Sequence, residues 1–312
     1  MTVQVRPSPI LVIGSANLDY LIRVDVGPRP GETVLARSML KAPGGKGANQ
    51  AVAAARLGGD VRFVGCVGDD NDGALLMREL RAEGVDIGDV EIFTSHHTGM
   101  AVVAVERSGQ NSIMVVPGAN FALTESRVAH VLGRAEPPSL VVLQAEIQAS
   151  IVTAAVEQAA SSGARVVLNL APFVALPARV TALCDPLVMN EAEAEALVGE
   201  SIASLADARR IARELRRAVR SVVITLGVQG AVWADPDDDG VVPAEAVPHV
   251  VDTTGAGDAF VGALAVRLAA GAELRQAVGI GVAAGTFAVT RDGAQSSYAM
   301  ASDLEMNEHV AG

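Results

Sequence analysis

The chain has 312 residues, and 50% of them are hydrophobic. A chain of this length and composition can bury a large core in one large or two smaller domains, which excludes a disordered protein. The formal net charge is −12. Because nucleic acids and anionic membranes attract surfaces rich in Lys and Arg, this charge argues against both as partners, while small anions can still bind at a local site.

The cysteines and the apolar runs indicate the cellular compartment in which the protein is expected. Cys66 and Cys184 lie in or beside strand-like apolar runs, so we expect buried, reduced thiols. The first apolar run, residues 10–13, is too short for the core of a signal peptide. Residues 276–290 carry no charge, but they fall short of a membrane-spanning helix. The sequence therefore favours a cytoplasmic protein without membrane partners.

The chain opens with an apolar strand at residues 10–13. Further apolar strands are predicted at residues 61–64, 140–143, 165–168, 187–189 and 221–225, and alanine-rich stretches such as 48–57 and 151–160 are predicted as helices between them. Such alternation is typical of a parallel sheet with helices on both faces. The sequence thus predicts a three-layer α/β fold.

Two segments, residues 20–43 and 96–116, interrupt this alternation, and the second has the pattern of a hairpin around residues 108–111. We expect them to form one small β-sheet, a lid inserted into a core of residues 1–19, 44–95 and 117–312. Such a sheet has an apolar face and free edges. The sheet could therefore pair with a second copy of the chain, or it could be an ordinary exposed edge on a monomer, and both alternatives remain open.

Polar residues follow several of the predicted strands. Asn17 and Asp19 alternate after the first strand, so both side chains could face one side and bind adjacent hydroxyl groups. Glu146 follows a later strand and is either a ligand or a plain surface carboxylate. Asn190 and Glu193 have the spacing of a capping box, in which Asn190 caps a helix.

Residues 43–59 begin with glycines at 44, 45 and 47, which allow a ligand to approach the backbone closely. Asn49 follows in the first turn of a predicted helix and offers both a donor and an acceptor to a hydroxylated ligand. The order and spacing of a Walker loop are absent. Taken alone, the stretch is better explained as a glycine hinge before an ordinary helix.

The string Asp252-Thr-Thr-Gly-Ala-Gly-Asp-Ala-Phe260 precedes a predicted buried helix. Its two glycines allow a tight turn whose N–H groups converge on an anion, and the positive end of the helix dipole adds to this attraction. Asp258, expected at the rim, can accept the proton of an attacking hydroxyl while the amides stabilise a transferring phosphate. The alternative is that Asp258 merely caps the helix.

Two further stretches suggest ligands only weakly by themselves. Residues 225–230 run from a strand into a turn with two glycines, which an ordinary β-turn explains. Residues 290–297 offer carbonyl and hydroxyl oxygens, the ligands that hard cations prefer.

The strings D-T-T-G-A-G-D-A-F and P-G-G-K-G-A-N-Q-A resemble, in the same order, the C-terminal and N-terminal signatures of the ribokinase-like sugar kinases, the PfkB family. The second string looks most like the form found in ribokinases, and residues 115–120 are also similar to a ribokinase stretch. The resemblance runs from about residue 10 to residue 298. It implies a ribokinase-like three-layer α/β/α domain with a mainly parallel central sheet and a small β-sheet lid.

The resemblance also implies roles for individual residues. Asp258 would be the base, and the anion hole would consist of Gly255, Ala256 and Gly257. The implied sugar ligands are Asn17, Asp19, Gly45, Lys46, Asn49, Glu146 and Asp258. The implied ATP-binding residues are Asn190, Thr225, Leu226, Gly227, Val228, Gln229, Gly230 and Gly257. The implied ligands of K⁺ are Asp252, Thr254, Ala288, Arg291, Gly293 and Ser297. Glu193 is implied to belong to the Mg²⁺ network.

The activity implied by the resemblance is phosphorylation of D-ribose at O5 by ATP, with Mg²⁺ bound to ATP, K⁺ as activator and a homodimer formed through the lid sheet. Two alternatives remain. One is a kinase of the same family for deoxyribose, fructose or adenosine, because a few pocket residues decide the substrate and the fold does not. The other is a non-catalytic sensor of sugar or nucleotide, against which the intact Asp258 and its turn argue.

Overall fold

The computed structural model describes residues 9–107, 111–134 and 138–304. Their largest feature is an eight-stranded sheet, in the spatial order β14 (Asp239–Val242), β13 (Ala231–Ala234), β12 (Val222–Thr225), β11 (Leu187–Asn190), β10 (Arg165–Asn169), β9 (Leu140–Gln144), β1 (Ile10–Ile13) and β4 (Val61–Val64). The strands from β12 to β4 are parallel, and β13 and β14 pair antiparallel. The predicted mainly parallel sheet is confirmed.

The sheet is buried on both faces, as the continuous apolar strands predict. In β1, Ile10 and Val12 pack into one hydrophobic cluster, whereas Leu11 and Ile13 pack into another. Successive side chains of a strand point to opposite faces, so this division assigns one cluster to each face of the sheet. The two clusters form the core of the domain.

Helices cover both faces and complete the three layers. The helices that pack into the cluster of Ile10 and Val12 are α1 (Lys46–Arg56), α2 (Asn71–Ala82), α8 (Ala256–Ala269), α9 (Leu274–Ala288) and α10 (Ala301–Leu304). Those that pack into the cluster of Leu11 and Ile13 are α3 (Glu125–Leu132), α4 (Ala149–Ser161), α5 (Ala178–Thr181), α6 (Glu191–Val198) and α7 (Leu205–Arg216). The predicted fold class is therefore confirmed.

A second, four-stranded sheet has the order β3 (Ser38–Gly44), β2 (Asn17–Arg23), β7 (Gly99–Val105) and β8 (Asn111–Val116). Strands β2 and β7 are parallel, and β7 and β8 form an antiparallel pair. Three residues of the predicted hairpin turn, 108–110, lie outside the described residues. Strand β2 begins at Asn17 and therefore crosses the predicted boundary at residue 19, because its pairing with β3 continues as far as Gly44.

Smaller elements complete the described chain. Two short strands, β5 (Cys66–Gly68) and β6 (Glu91–Phe93), pair with each other. Three 3₁₀ helices comprise Gly118–Ala122, Gly227–Gln229 and Gln295–Ser297. Cys66 and Cys184 are buried free thiols, as expected. Across the described ranges, no helix combines the length and apolar character needed to cross a membrane.

Helices α1 and α8 lie side by side because the residues between them are small. A Cβ atom on Gly262 of α8 would lie 2.5 Å from the Cβ of Ala53 on α1. This close packing brings the first turns of both helices together near the carboxyl ends of β9, β10 and β11. It thereby joins the two glycine-rich strings, which are about 200 residues apart in the chain.

Candidate active site

Helix α8 begins in the turn that the sequence predicts. Gly255 is its N-cap, with φ of 76°, and no side chain of the described residues caps the helix. A Cβ atom at Gly255 would lie 2.6 Å from the Tyr298 hydroxyl, so a glycine is required for space as well as for backbone conformation. The Ala256 amide donates to the Thr253 carbonyl at 3.3 Å, and no heavy atom of the described residues outside this first stretch of α8 lies within 4 Å of a Cβ built on Gly257. The positive helix end therefore faces an open space at Gly257.

Asp258 is more buried than the sequence suggested. Its side chain was expected at the rim, yet only 6% of the residue is exposed. Asn49 donates from Nδ2 to Oδ2 of Asp258 at 3.0 Å, and Gln50 donates from Nε2 to Oδ1 at 2.9 Å. Gln295 in turn donates to Oδ1 of Asn49 at 3.0 Å. The packing of α1 against α8 causes this burial, and it holds both carboxylate oxygens.

A cleft of about 230 Å³ brings many of the predicted residues together. It lies at the carboxyl ends of the parallel strands, where ligands bind in sheets of this kind. The predicted residues that line it are Lys46, Asn190, Glu193, Thr225, Gly255, Gly257 and Asp258, and the others are Asn169, Ala171, Val188, Met189, Thr253, Phe260 and Val261. The candidate base, the helix N-terminus and one lysine thus share one space.

Lys46 supplies a positive charge in this cleft. The negative charge of Asp258 raises the pKa of Lys46, burial opposes that effect, and the charges of Glu146 and Glu193 add to it. The pKa of Lys46 therefore lies above its ordinary value although the residue is half-buried. A protonated lysine beside a helix N-terminus favours binding of a polyanion such as a nucleotide phosphate.

Glu146 links the first strand to the start of α1. Its Oε2 accepts hydrogen bonds from the Ser15 hydroxyl at 2.6 Å and from the Lys46 amide at 3.0 Å. These bonds explain why a carboxylate occupies this position, and they argue against the alternative of a plain surface residue. The structure thus places Glu146 beside Lys46.

Asn17 and Asp19 both lie on β2. Asn17 is buried and accepts a hydrogen bond from Nδ2 of Asn120 at 2.7 Å. Oδ1 of Asp19 is buried without a hydrogen-bond partner among the described residues. Burial, the largest cause, together with the charges of Glu146 and Asp258 raises the pKa of Asp19 from 3.8 to about 7. An unpaired buried carboxylate oxygen is costly, which suits a site that a ligand donor completes.

Gly45 allows α1 to approach β2. Its φ is 86°, and a Cβ atom here would lie 2.6 Å from the backbone nitrogen of Asn17. Only glycine combines this backbone conformation with so close an approach. The helix start and the strand that carries Asn17 and Asp19 are therefore in direct contact.

The predicted capping box is present at the other end of the cleft. Asn190 accepts from the amide of Glu193 at 2.9 Å, and Glu193 accepts from the amide of Asn190 at 2.8 Å. Burial raises the pKa of Glu193, although the hydrogen bond from Asn190 acts in the opposite direction. The Thr225 hydroxyl donates to the Met189 carbonyl at 3.4 Å. These residues face the same cleft as Asp258.

The rest of the predicted nucleotide segment does not line this cleft. Residues 226–230 continue from β12 through a 3₁₀ turn, in which Leu226 is buried and Val228 is 85% exposed. Gly227, Gln229 and Gly230 lie in the same turn. The segment therefore extends from Thr225 toward the surface, outside the cleft that contains Asp258.

Asp252 ties together the two segments predicted to bind a monovalent cation. Its Oδ1 accepts from the amide and the hydroxyl of Thr254, and its Oδ2 accepts from the amide of Gly293 at 3.0 Å. Burial raises the pKa of Asp252, but these hydrogen bonds outweigh burial and lower it. The Ala288 carbonyl accepts from the Arg291 amide at 3.1 Å, and the buried Ser297 hydroxyl donates to the Ala294 carbonyl at 2.7 Å.

Sequence reasoning missed the buried polar residues that surround the predicted ones. Gln144 and Asn169 end β9 and β10, and the signal that could have found them is a polar residue closing an apolar strand. Gln50 follows Asn49 inside the quoted string, but nothing in the sequence indicates which way it points. Ser15 and Asn120 were likewise recognisable only from their contacts with Glu146 and Asn17.

A larger cavity of about 780 Å³ lies at the amino ends of the parallel strands, on the side of the sheet opposite to the cleft. It is lined by residues at the amino end of β10, before β11 and β12, after β13 and at the start of α9, and these include five arginines and five acidic residues. Because the motifs described above all lie at the carboxyl ends of the strands, size does not identify the site here. The candidate catalytic residues line the smaller cleft.

Comparison with known proteins agrees with this geometry. A model of the pfkB family carbohydrate kinases matches residues 8–300. The chain is 36% identical to the ribokinase of Haemophilus influenzae over 303 residues, which cover 96% of this chain and 99% of the relative. It is 35% identical to the deoxyribokinase of Salmonella typhi over 304 residues, which cover 97% of this chain and 98% of that protein.

A solved structure gives the same result. The ribokinase of Arabidopsis thaliana, complexed with ribose and ATP, superposes with a TM-score of 0.88 at 30% identity, covering 96% of this chain and 98% of the other. The fold, both glycine-rich strings and the cleft between them occur together in one chain. The protein belongs to the pfkB family of carbohydrate kinases.

Proposed function

We propose that this protein phosphorylates D-ribose at O5 with ATP, the activity of a ribokinase. The observation that carries the proposal is that Asp258, the uncapped N-terminus of α8 and Lys46 line a single cleft. A carboxylate base, a positive helix end and a lysine are the parts that transfer of a phosphoryl group to a hydroxyl requires. The ribokinase and the ribose-bound structure with similar sequences favour ribose as the acceptor.

In the proposed reaction, Asp258 accepts the proton of the 5-hydroxyl as that oxygen attacks the γ-phosphorus. The bond from oxygen to phosphorus forms as the bond to the β-phosphate oxygen breaks, and ADP leaves. The amides of Gly255, Ala256 and Gly257 stabilise the charge on the transferring group. The Ala256 amide would first exchange its bond to Thr253, which at 3.3 Å is long.

The sugar would lie between β2 and the start of α1. Asp19, with one buried oxygen lacking a partner, is the acceptor for a sugar hydroxyl. We assign the remaining sugar contacts to Asn17, Gly45, Lys46, Asn49 and Glu146. The nucleotide would run from Asn190 and Thr225 along the turn of Leu226, Gly227, Val228, Gln229 and Gly230, with its phosphates at Gly257.

The residues present also fit the two metal ions. Where phosphates supply most of its ligands, Mg²⁺ needs only one or two carboxylates from the protein. It would be held through Asn190 and Glu193, which line the cleft, and would neutralise the charge of the polyphosphate. K⁺ would be held by oxygens of two segments that Asp252 already joins, where it would order the turn before α8. The proposed ligands are Asp252, Thr254, Ala288, Arg291, Gly293 and Ser297.

We further propose that the four-stranded sheet acts as a lid and as the interface of a homodimer. Its two edge strands expose large apolar side chains, among them Leu40 on β3 and Ile113 on β8, which are 64% and 58% exposed. Leu40 and Ile113 lie on the same face of the sheet, because Leu40 pairs with Leu21, Leu21 with Val103 and Val103 with Ile113. A second copy of the same sheet would cover both the apolar face and the free edge.

A deoxyribokinase is the second candidate, because the chain is almost as similar to the Salmonella enzyme as to the Haemophilus ribokinase. The two substrates differ by one hydroxyl. A site built to bond that hydroxyl rejects a substrate that lacks it, since its buried polar groups stay unpaired. The unpaired oxygen of Asp19 favours the acceptor with more hydroxyl groups, and thus ribose.

The test is a screen of acceptors with ATP and Mg²⁺, in the presence of K⁺, measured as ADP release. D-ribose, 2-deoxyribose, fructose and adenosine are compared by kcat/KM, and the phosphorylated position is identified by NMR. We expect D-ribose to give the highest value and the phosphate at O5. A higher value for another acceptor would assign that substrate instead, and no ADP release with any of them would leave only a binding protein.

A further inference from the structure

The proposed reaction uses Asp258 but not the buried amide beside it. Gln50 lies on α1 and is only 1% exposed. Its Nε2 donates to Oδ1 of Asp258 at 2.9 Å and to Oδ1 of Asn169 at 3.0 Å. Both N–H groups of the amide are therefore used, and one of them holds the carboxylate.

The orientation of the Gln50 amide is determined by its neighbours. Asn169 donates from Nδ2 to the Val188 carbonyl at 3.3 Å, and a carbonyl can only accept. The Oδ1 of Asn169 must then face a donor, which is Nε2 of Gln50. Gln144 donates to Oε1 of Gln50 at 2.7 Å and closes the chain of bonds. A flipped Gln50 would place its oxygen against two other oxygens, so only one orientation is compatible with all three partners, Asp258, Asn169 and Gln144.

Gln50 has no access to a substrate. It is absent from the lining of the cleft, whereas both Asp258 and Asn169 line it. Any influence of Gln50 on the reaction therefore passes through the residues that it contacts. On the other oxygen of Asp258, the bond from Asn49 is itself supported by Gln295, so the carboxylate is held from two sides.

We infer that Gln50 is a positioning residue, which holds the Asp258 carboxylate in the orientation that accepts the proton of the sugar hydroxyl. The inference rests on the proposed function for the identity of that hydroxyl. A base must be held within a fraction of an ångström of its productive position, and a buried side chain with a fixed rotamer is suited to this task. The fully bonded Gln50 amide meets this requirement, because none of its polar atoms is left unpaired.

The test replaces Gln50 by Met, which has similar length and no N–H donor. We expect Gln50→Met to lower kcat about 10- to 100-fold, as a displaced catalytic group does, while KM for ribose and for ATP changes less than about threefold. Gln144→Met leaves the donor on Gln50 and removes only its orienting bond, so its loss in kcat should be smaller. Gln158→Met on α4, remote from the cleft, is the matched control and should keep the activity of the unmodified protein.

A pH profile separates positioning from a general loss of stability. The charged or titratable groups around Asp258 are Asp19, Lys46, Glu146, Glu193 and Tyr298, and all are unchanged in these variants. Removing an N–H donor from a carboxylate favours its protonated form. The acidic limb of kcat/KM should therefore move to higher pH in Gln50→Met and stay in place in Gln158→Met.

Two results would overturn the inference. One is a folded Gln50→Met variant with kcat within about twofold of the unmodified protein and an unmoved acidic limb. The other is a crystal structure of that variant with Asp258 in one unchanged conformer, a readout that does not depend on the substrate. If Gln50→Met does not fold, an unaltered kcat and an unaltered pH profile of Gln144→Met would equally overturn the inference. Failure of the unmodified protein to phosphorylate ribose would instead reject the proposed function.

Discussion

Replacing Asp19 by Asn should stabilise the unliganded protein while weakening its sugar site. Oδ1 of Asp19 is buried and has no hydrogen-bond partner in the part of the chain that the structure describes. Burial together with the charges of Glu146 and Asp258 raises the pKa of Asp19 from 3.8 to about 7. Each tenfold difference in acidity corresponds to about 1.4 kcal/mol. Ionised Asp19 therefore costs the folded state at most about 4 kcal/mol, and a neutral Asn avoids that cost.

The sign of the pH dependence follows from the direction of this change. Because the pKa of Asp19 is higher in the folded than in the unfolded state, the folded protein binds more protons between about pH 4 and pH 7. The contribution of Asp19 to stability therefore falls as the pH rises through this window. The advantage of Asp19→Asn should be small near pH 4, grow up to about pH 7 and stay constant above it.

Urea unfolding without ligand, at pH 4.5 and at pH 8.5, measures the effect. We expect the gain in unfolding free energy of Asp19→Asn to be about 2 to 3 kcal/mol larger at pH 8.5 than at pH 4.5. Asp60→Asn, at an exposed position before β4, is the matched control and should show no such difference. Adding D-ribose at pH 8.5 should stabilise the unmodified protein and have little effect on Asp19→Asn.

Two outcomes would refute this reasoning. An equal effect of Asp19→Asn at both pH values would mean that burial does not penalise the charge. Equal stabilisation of both proteins by D-ribose would mean that Asp19 is not a sugar ligand.

Four shorter predictions follow from the site and the small sheet. Asp258→Asn should lower kcat by about three orders of magnitude, and a drop below tenfold in the folded variant would remove Asp258 from the mechanism. Gly45→Ala should cost about 1 to 3 kcal/mol in thermal unfolding, because its Cβ would lie 2.6 Å from the Asn17 nitrogen. Gly31→Ala should cost less, because Gly31 has a similar φ of 81° but no described atom beyond its adjacent residues would lie within 4 Å of the new Cβ. Turnover should fall when K⁺ is replaced by tetramethylammonium, and equal rates in Na⁺, K⁺ and that bulky cation would contradict the proposed cation site. Ile113→Asp, on the face that carries Leu40, should convert a dimer into a monomer in light scattering, and a monomeric unmodified protein would exclude the proposed interface.

Much of the fold could be predicted from local patterns. Continuous apolar strands such as residues 10–13 and 140–143 indicate burial on both faces, and alanine-rich stretches between them indicate the covering helices. The turn at Gly255 was equally predictable, since its backbone conformation is one that glycine adopts readily. The capping box of Asn190 and Glu193 depends on a spacing of three residues, so it too could be predicted from the sequence.

The environment of each side chain was not predictable in this way. Asp258 was expected at a rim, but the packing of α1 against α8 buries it under the amides of Asn49 and Gln50. Those partners are more than 200 residues away along the chain, and no local pattern describes such a contact. The same holds for strand β2, whose start at Asn17 depends on pairing with β3.

The sequence by itself thus determined the layered fold, the family and the two glycine-rich turns, because each follows from residue preferences over a few neighbouring positions. Only the tertiary structure decided how the site is tuned. The raised pKa of Asp19, the charge on Lys46 and the fixed orientation of Gln50 depend on desolvation and on charges from distant segments. Such effects exist only once the chain has folded and excluded water from the space between those segments.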